Sequence, residues 1–279
     1  MTIRRLISIL IYILSGAVGI LAFIYPFFTP IGQQGGSMVA HSQDAPLLTV
    51  GLVALSVVAL LVELQGQAIS AKMVAMLGVL VAVTSALRFL EVAFPVPGGF
   101  SAVFAPILLA GYVFGGRFGY LMGVFTLLIS ALVTGGVGPW LPYQMFTAGW
   151  TGLTAGWLSR ALPRGRRTNR STARPGRHLT LEIVLLAAFG FVWGLLYGAI
   201  MNVYFWPFAV GSPEQTWNAG LSLGQIIARY GVFYATTSLA WDLVRAVGNV
   251  ALILLLGAPM LHALVRFQRR FQFEAHTHA

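Results

Sequence analysis

"TGGVGPWLPYQMFTAGW", residues 134–150, lies between two long apolar stretches and is poor material for the interior of a spanning helix. Pro139 and Pro142 remove backbone donors. Gly135, Gly136 and Gly138 allow tight turns that side chains with a β-carbon resist. The stretch therefore separates two spans and reads as a connection at one surface of a bilayer. Irregular backbone at that depth is tolerated where protein covers it or where it lines a wet cavity.

The rest of the chain supports the bilayer. Of 279 residues, 58% are hydrophobic and 9% charged, and mean hydropathy is +0.83. Soluble domains are about 25% charged. Apolar runs near or above the roughly 20 residues that cross a membrane recur along the whole length. The run after Arg4 and Arg5 has no small-residue cleavage site before Pro26, so it reads as a first span rather than a cleaved signal. With no cysteine, thiol and disulfide chemistry are excluded.

The expected fold is an all-α integral membrane protein of about eight helices, near 6–28, 47–64, 71–94, 100–115, 118–134, 143–161, 180–205 and 229–257. The fourth is short, holds Pro106, and reads as a partial or bent span. No internal repeat is visible, so an inverted-repeat carrier gains no support. Eight crossings put both termini on one side. If that side is cytoplasmic, it collects 14 of the 17 basic residues, while 29–46, 95–99, 135–142 and 206–228 hold none. The positive-inside rule requires such an asymmetry. "PRGRRTNRSTARPGRH" (163–178) is then a basic cytoplasmic loop that fixes topology, with anionic lipid or a cytoplasmic partner as the other readings. No aromatic residue interleaves its arginines, so nucleic acid is not expected.

Several stretches carry a family resemblance, in order: "AHSQDAP" (40–46), "SAKMVAMLGVL" (70–80), "TGGVGPWLPYQM" (134–145), "GLLYGAIMNVYFWPF" (194–208) and "YATTSLAWDLVRAVGNVALILLLG" (234–257). Together the chain resembles the substrate-specific S component of energy-coupling factor (ECF) transporters, closest to the subfamily predicted to carry cobalamin. The resemblance implies a six-helix core over 68–270, a two-helix extension over 1–67 and a cytoplasmic tail over 271–279. It further implies capture of one vitamin from outside, then delivery inside with a separate membrane coupling subunit and ATPases. The same resemblance assigns small residues at the start of the first core helix to contact with the coupling subunit. Ala71 and Ala75 match that pattern, and Gly78 and Ala82 extend the small face. Small residues one turn apart let helices approach closely in lipid.

Candidate substrate contacts fall in two clusters on the side expected to be external. The first is Trp140, Tyr143 and Gln144; the second is Asn202, Tyr204, Trp206 and Trp217. Both set aromatic faces beside amides, as small-molecule pockets do. An interfacial aromatic belt is the competing reading for Trp140. Four charges lie in the outer half of the bilayer: Arg88 with Glu91, and Asp242 with Arg245, each pair spaced i,i+3 on one helix face. Arg88 and Glu91, nearer the external end, are the candidates to reach substrate; Asp242, Arg245 and Asn249 read as structural. A wide aromatic and amide-rich mouth suits a bulky solute such as cobalamin, although riboflavin or a pyrimidine would also stack on tryptophan.

Other chemistry finds little footing. "GLSLG" (220–224) matches G-x-S-x-G, but no strand-to-helix elbow is expected around Ser222. "HTH" (276–278) reads as an inert tail, no metal set is expected, and histidines are sparse for a metal importer. No GxxxxGK[ST] loop exists, so ATP hydrolysis belongs to a partner. No enzyme activity or cofactor is expected. A self-sufficient secondary transporter and an intramembrane enzyme are the two alternatives.

Overall fold

A computed structural model of the chain describes residues 3–28, 39–65, 71–94, 98–161 and 175–273. Most of the arginine-rich loop 163–178, the tail from 274, and the expected boundary at 67–68 lie outside the described residues. Among the described residues the regular elements are helical. They are α1 (Ile3–Ile24), a 3-10 turn Tyr25–Phe28, α2 (Val39–Gln65), α3 (Ala71–Ala93), α4 (Phe104–Phe114), α5 (Gly116–Thr134), α6 (Leu141–Ala161), α7 (Pro175–Phe205), a 3-10 turn Trp206–Phe208, α8 (Leu223–Thr237) and α9 (Leu239–Phe273).

Among the described residues, five stretches are long and apolar enough to cross a membrane: Ile9–Phe28, Ala71–Ala93, Gly116–Thr134, Leu179–Phe208 and Leu239–Arg270. Their outer surfaces carry exposed Leu10, Ile13, Val79, Val83, Val247 and Leu255, side chains that lipid would solvate. One expectation holds and another changes. The fourth helix has only 11 residues, about 16 Å at the usual rise per residue, well short of a bilayer. The last helix is two, broken between Thr237 and Leu239.

That break has a local cause. The Thr236 hydroxyl donates to the Val232 carbonyl (2.9 Å) and that of Thr237 to the Phe233 carbonyl (2.6 Å). Such back-bonding competes with the helix ladder and bends it. Ser238 follows with non-helical backbone, and its hydroxyl accepts from Asn202 Nδ2 at 2.7 Å. A new helix then starts, with the Asp242 amide donating to the Ser238 carbonyl at 3.0 Å.

The centre is a three-helix junction of glycines. α4 and α5 are joined at Gly115, whose φ of 99° needs glycine. The hairpin brings Gly111 against Gly119, and both lie on the backbone of Gly152 in α6. A β-carbon at any of the three would collide with a neighbouring main chain. Close backbone approach of this kind replaces the hydrophobic drive that lipid cannot supply.

The segment N-terminal to α3 shares the same core. Gly19 of α1 lies against Phe146 and Trp150, and the Phe23 ring meets Tyr143 edge-on at 4.9 Å between centroids. Ser15 and Tyr120 are hydrogen-bonded, and the Arg117 guanidinium lies 5.9 Å over the Tyr12 ring. Leu52 and Ala59 of α2 are buried in this cluster as well.

Lys72, Arg117, Arg160, Arg266, Arg269 and Arg270 stand at the ends of α3, α5, α6 and α9 that share one end of the bundle. Call this the basic end. The ends of α1, α5 and α7 and the start of α6 meet at the other, aromatic end.

Candidate substrate site and coupling face

The opening stretch forms a compact turn. α5 closes on Gly135 in the left-handed region, the Gly136 amide donates to the Ala131 carbonyl at 2.9 Å, and that of Leu141 to the Gly138 carbonyl at 2.9 Å. The first of these bonds is the closing pattern of a helix that ends on glycine, and the second leads into α6. Trp140, 37% exposed, folds over Gly138 and donates its indole N–H to the Gly136 carbonyl at 3.2 Å. Pro142 sits in the first turn of α6, where its missing N–H costs nothing. Gln144 is half-buried one turn further.

Tyr143 is wholly buried, wedged between Phe23 and Tyr204; the latter ring is 4.4 Å away between centroids. The two expected clusters are therefore adjacent, joined by the Tyr143–Tyr204 pair. Tyr143 itself lies beneath the surface as packing, which sequence alone does not distinguish from a pocket wall.

The second cluster is held by its neighbours. Trp206 is 2% exposed and donates its indole N–H to the Gln215 carbonyl at 2.8 Å. Tyr230 of α8 meets that ring edge-on at 5.0 Å and donates its hydroxyl to the Ala199 carbonyl. Trp217 is half-buried in the 209–222 segment, whose Thr216 carbonyl accepts from Arg229 at 3.2 Å. Ser222 of the G-x-S-x-G match caps α8 in a capping box with Gln225. That motif is helix-terminal chemistry here.

The four charges divide as follows. Glu91 is turned to the connection ahead of α4, accepting from the Ser101 hydroxyl at 3.2 Å and from the Ala102 amide. This ties the end of α3 to the start of α4. Asp242, 2% exposed, pairs with Arg245 on its own helix. Arg245 also lies 5.3 Å over the Tyr197 ring, and Arg88 is close enough to act on the same ring electrostatically. The Asp242 carboxylate rests on Gly198 of α7, where a β-carbon would collide with it. One turn beyond Arg245, Asn249 Nδ2 donates to the Gly190 carbonyl at 3.0 Å. The pair and Asn249 staple α7 to α9.

At the basic end, Ala71, Ala75, Gly78 and Ala82 are all exposed along α3. A cleft of about 540 Å³ opens between α3 and α9, lined by Lys72, Ala75, Met76, Val79, Met260 and Phe267. Its wall is almost wholly apolar and it is at the far end from Trp206 and Trp217, so it suits an apolar partner better than a polar solute.

Residues 72–257 match the family model for the ECF transporter, substrate-specific component. The chain belongs to that family. The matched segment begins one residue after Ala71 and ends within α9, so it contains Ala75, Gly78, Ala82, Trp206 and Trp217. As an S component, the chain is a multi-pass membrane protein that binds a substrate and works with an ECF coupling subunit and ATPases. α1, the turn Tyr25–Phe28 and α2 lie outside the match. No curated protein and no solved structure matches this S component.

Proposed function

We propose that this S component captures a bulky, ring-bearing vitamin, cobalamin in the first instance, from outside a prokaryotic plasma membrane. The observation that carries the reading is the gathering of Trp206, Trp217 and Tyr230 beside Asn202, at the end of the bundle opposite the basic helix ends. The positive-inside rule puts the basic end, and with it both termini, in the cytoplasm. The aromatic end then faces outward, where a vitamin arrives. Flat rings favour offset or edge-on packing against tryptophan. Trp140 and Gln144 form the rim on the α6 side, Arg88 is the remaining candidate for an anionic group, and Glu91 holds the adjoining connection in place.

The same orientation sets Ala71 and Ala75 at the cytoplasmic half of α3, exposed for the coupling subunit. The test is uptake of labelled cyanocobalamin by cells expressing this chain alone, or with a coupling subunit and its ATPases. Uptake is expected only in the second case. Equal uptake by the chain alone would favour a self-sufficient carrier built around the buried Asp242–Arg245 pair.

A further inference from the structure

The outer aromatic cluster has a member that the matched family segment does not contain. Phe27 belongs to the Tyr25–Phe28 turn that ends α1. Its ring meets Trp217 edge-on, 5.3 Å between centroids at 88°, and Trp206 at 6.0 Å and 55°. Its placement follows from the chain around it. Pro26 is buried and fixes the turn, while Phe28 points away and is 82% exposed. One helical turn earlier Phe23 is locked on Tyr143 and Trp150, and Gly19 seats α1 on Phe146. Phe27 is thus delivered by a docked helix, and two segments from opposite parts of the sequence meet over the proposed site.

We infer that Phe27 is a substrate-contacting, specificity-determining residue: the third wall, with Trp206 and Trp217, against which a planar ring of the vitamin seats. The inference rests on the outer-site reading above. Its chemistry is that of the cluster itself: aromatic rings prefer offset or edge-on contact at these separations, the geometry in which a ligand ring would join the three. The Phe27 side chain carries no charge, so the part of the ligand it meets is a flat, uncharged ring face. The N-terminal segment then shapes selectivity rather than serving only as added membrane anchor.

The natural chain has no cysteine, which allows a direct test with cyanocobalamin and riboflavin as probes. A single cysteine at Phe27→Cys should react with an impermeant maleimide from outside, and saturating amounts of whichever probe binds should shield it. In parallel, Phe27→Ala should weaken binding of that probe at least ~10-fold, while Phe28→Ala leaves it unchanged. If Trp217→Ala weakens binding but Phe27→Ala does not, and the cysteine reacts equally with and without probe, the inference fails and the site stands. If neither change matters, or the wild-type chain binds neither probe, the site reading falls and takes the inference with it. Should Phe27→Ala fold poorly, the shielding result alone decides.

Discussion

Asn202 Nδ2 donates to Ser238 Oγ at 2.7 Å, so the amide expected to face a substrate spans the break between α8 and α9. The contact ties the aromatic end of α7 to the point where the last span begins. It gives Asn202 a fixed geometry from which the rest of its amide can serve a ligand.

Replacing either partner separates the two roles. Ser238→Ala should cost about 0.5–1.5 kcal/mol of stability, the usual net worth of a hydrogen bond, with little change in vitamin affinity. Asn202→Ala should cost as much stability and reduce affinity in addition. Thermal unfolding in detergent and a binding titration read the two effects. Identical affinity losses in both variants would make Asn202 purely a brace.

The Gly111–Gly119–Gly152 junction should be intolerant of any side chain. Gly152→Ala inserts a methyl into the backbone of α5, and overpacking of this order costs about 1–3 kcal/mol or more. A clear drop in the thermal midpoint is expected. Gly224→Ala, where no atom lies within 4 Å of the added carbon, should be near neutral.

The Asp242–Arg245 pair should behave as a unit. Removing one partner of a buried pair typically costs about 3–5 kcal/mol, because the other charge is left unpaired. Asp242→Ala should therefore unfold the chain well below the wild-type midpoint. Asp242→Leu combined with Arg245→Met should recover much of the loss. A double variant as unstable as the single one would show that each charge has other essential partners.

The single-cysteine variant Ser171→Cys should resist impermeant thiol reagents in intact cells and react after lysis. The loop leaves α6 beside Arg160 and re-enters at Pro175, both at the basic end. Ready labelling in intact cells would invert the topology, and with it the proposed direction of capture.

Ala75→Trp should abolish coupled uptake while leaving vitamin binding to the isolated chain intact, because the residue is exposed at the cleft between α3 and α9. Close helix approach needs small residues. Loss of binding together with uptake would return this face to internal packing.

Much of the fold was legible because lipid imposes a coarse rule. Apolar runs of spanning length bounded by Gly and Pro put α3, α5 and α7 within a few residues of their observed positions. The α8–α9 break was not legible. Thr236, Thr237 and Ser238 are each compatible with a helix, and their effect appears only when the hydroxyls reach carbonyls and Asn202. Trp206 and Trp217 were singled out as candidates from composition and from the side of the membrane expected to be external. Tyr143 was read as a wall because burial of a tyrosine depends on Phe23 and Tyr204, which are far away in sequence. Phe27 was missed for a related reason. "YPFF" beside a proline marks a span end, and nothing local says which tryptophan its ring will meet.

The most direct measurement is a calorimetric titration of the purified chain and of Trp217→Ala with cyanocobalamin and with riboflavin. Trp217 is half-buried, so its truncation should leave the fold in place. The wild-type chain should bind one of the two saturably, cyanocobalamin by preference. Trp217→Ala should bind it at least ~10-fold more weakly, about 1.4 kcal/mol, with an unchanged unfolding midpoint. Equal affinity in the two proteins, or binding of neither vitamin by the wild-type chain, would contradict a vitamin site at the aromatic end.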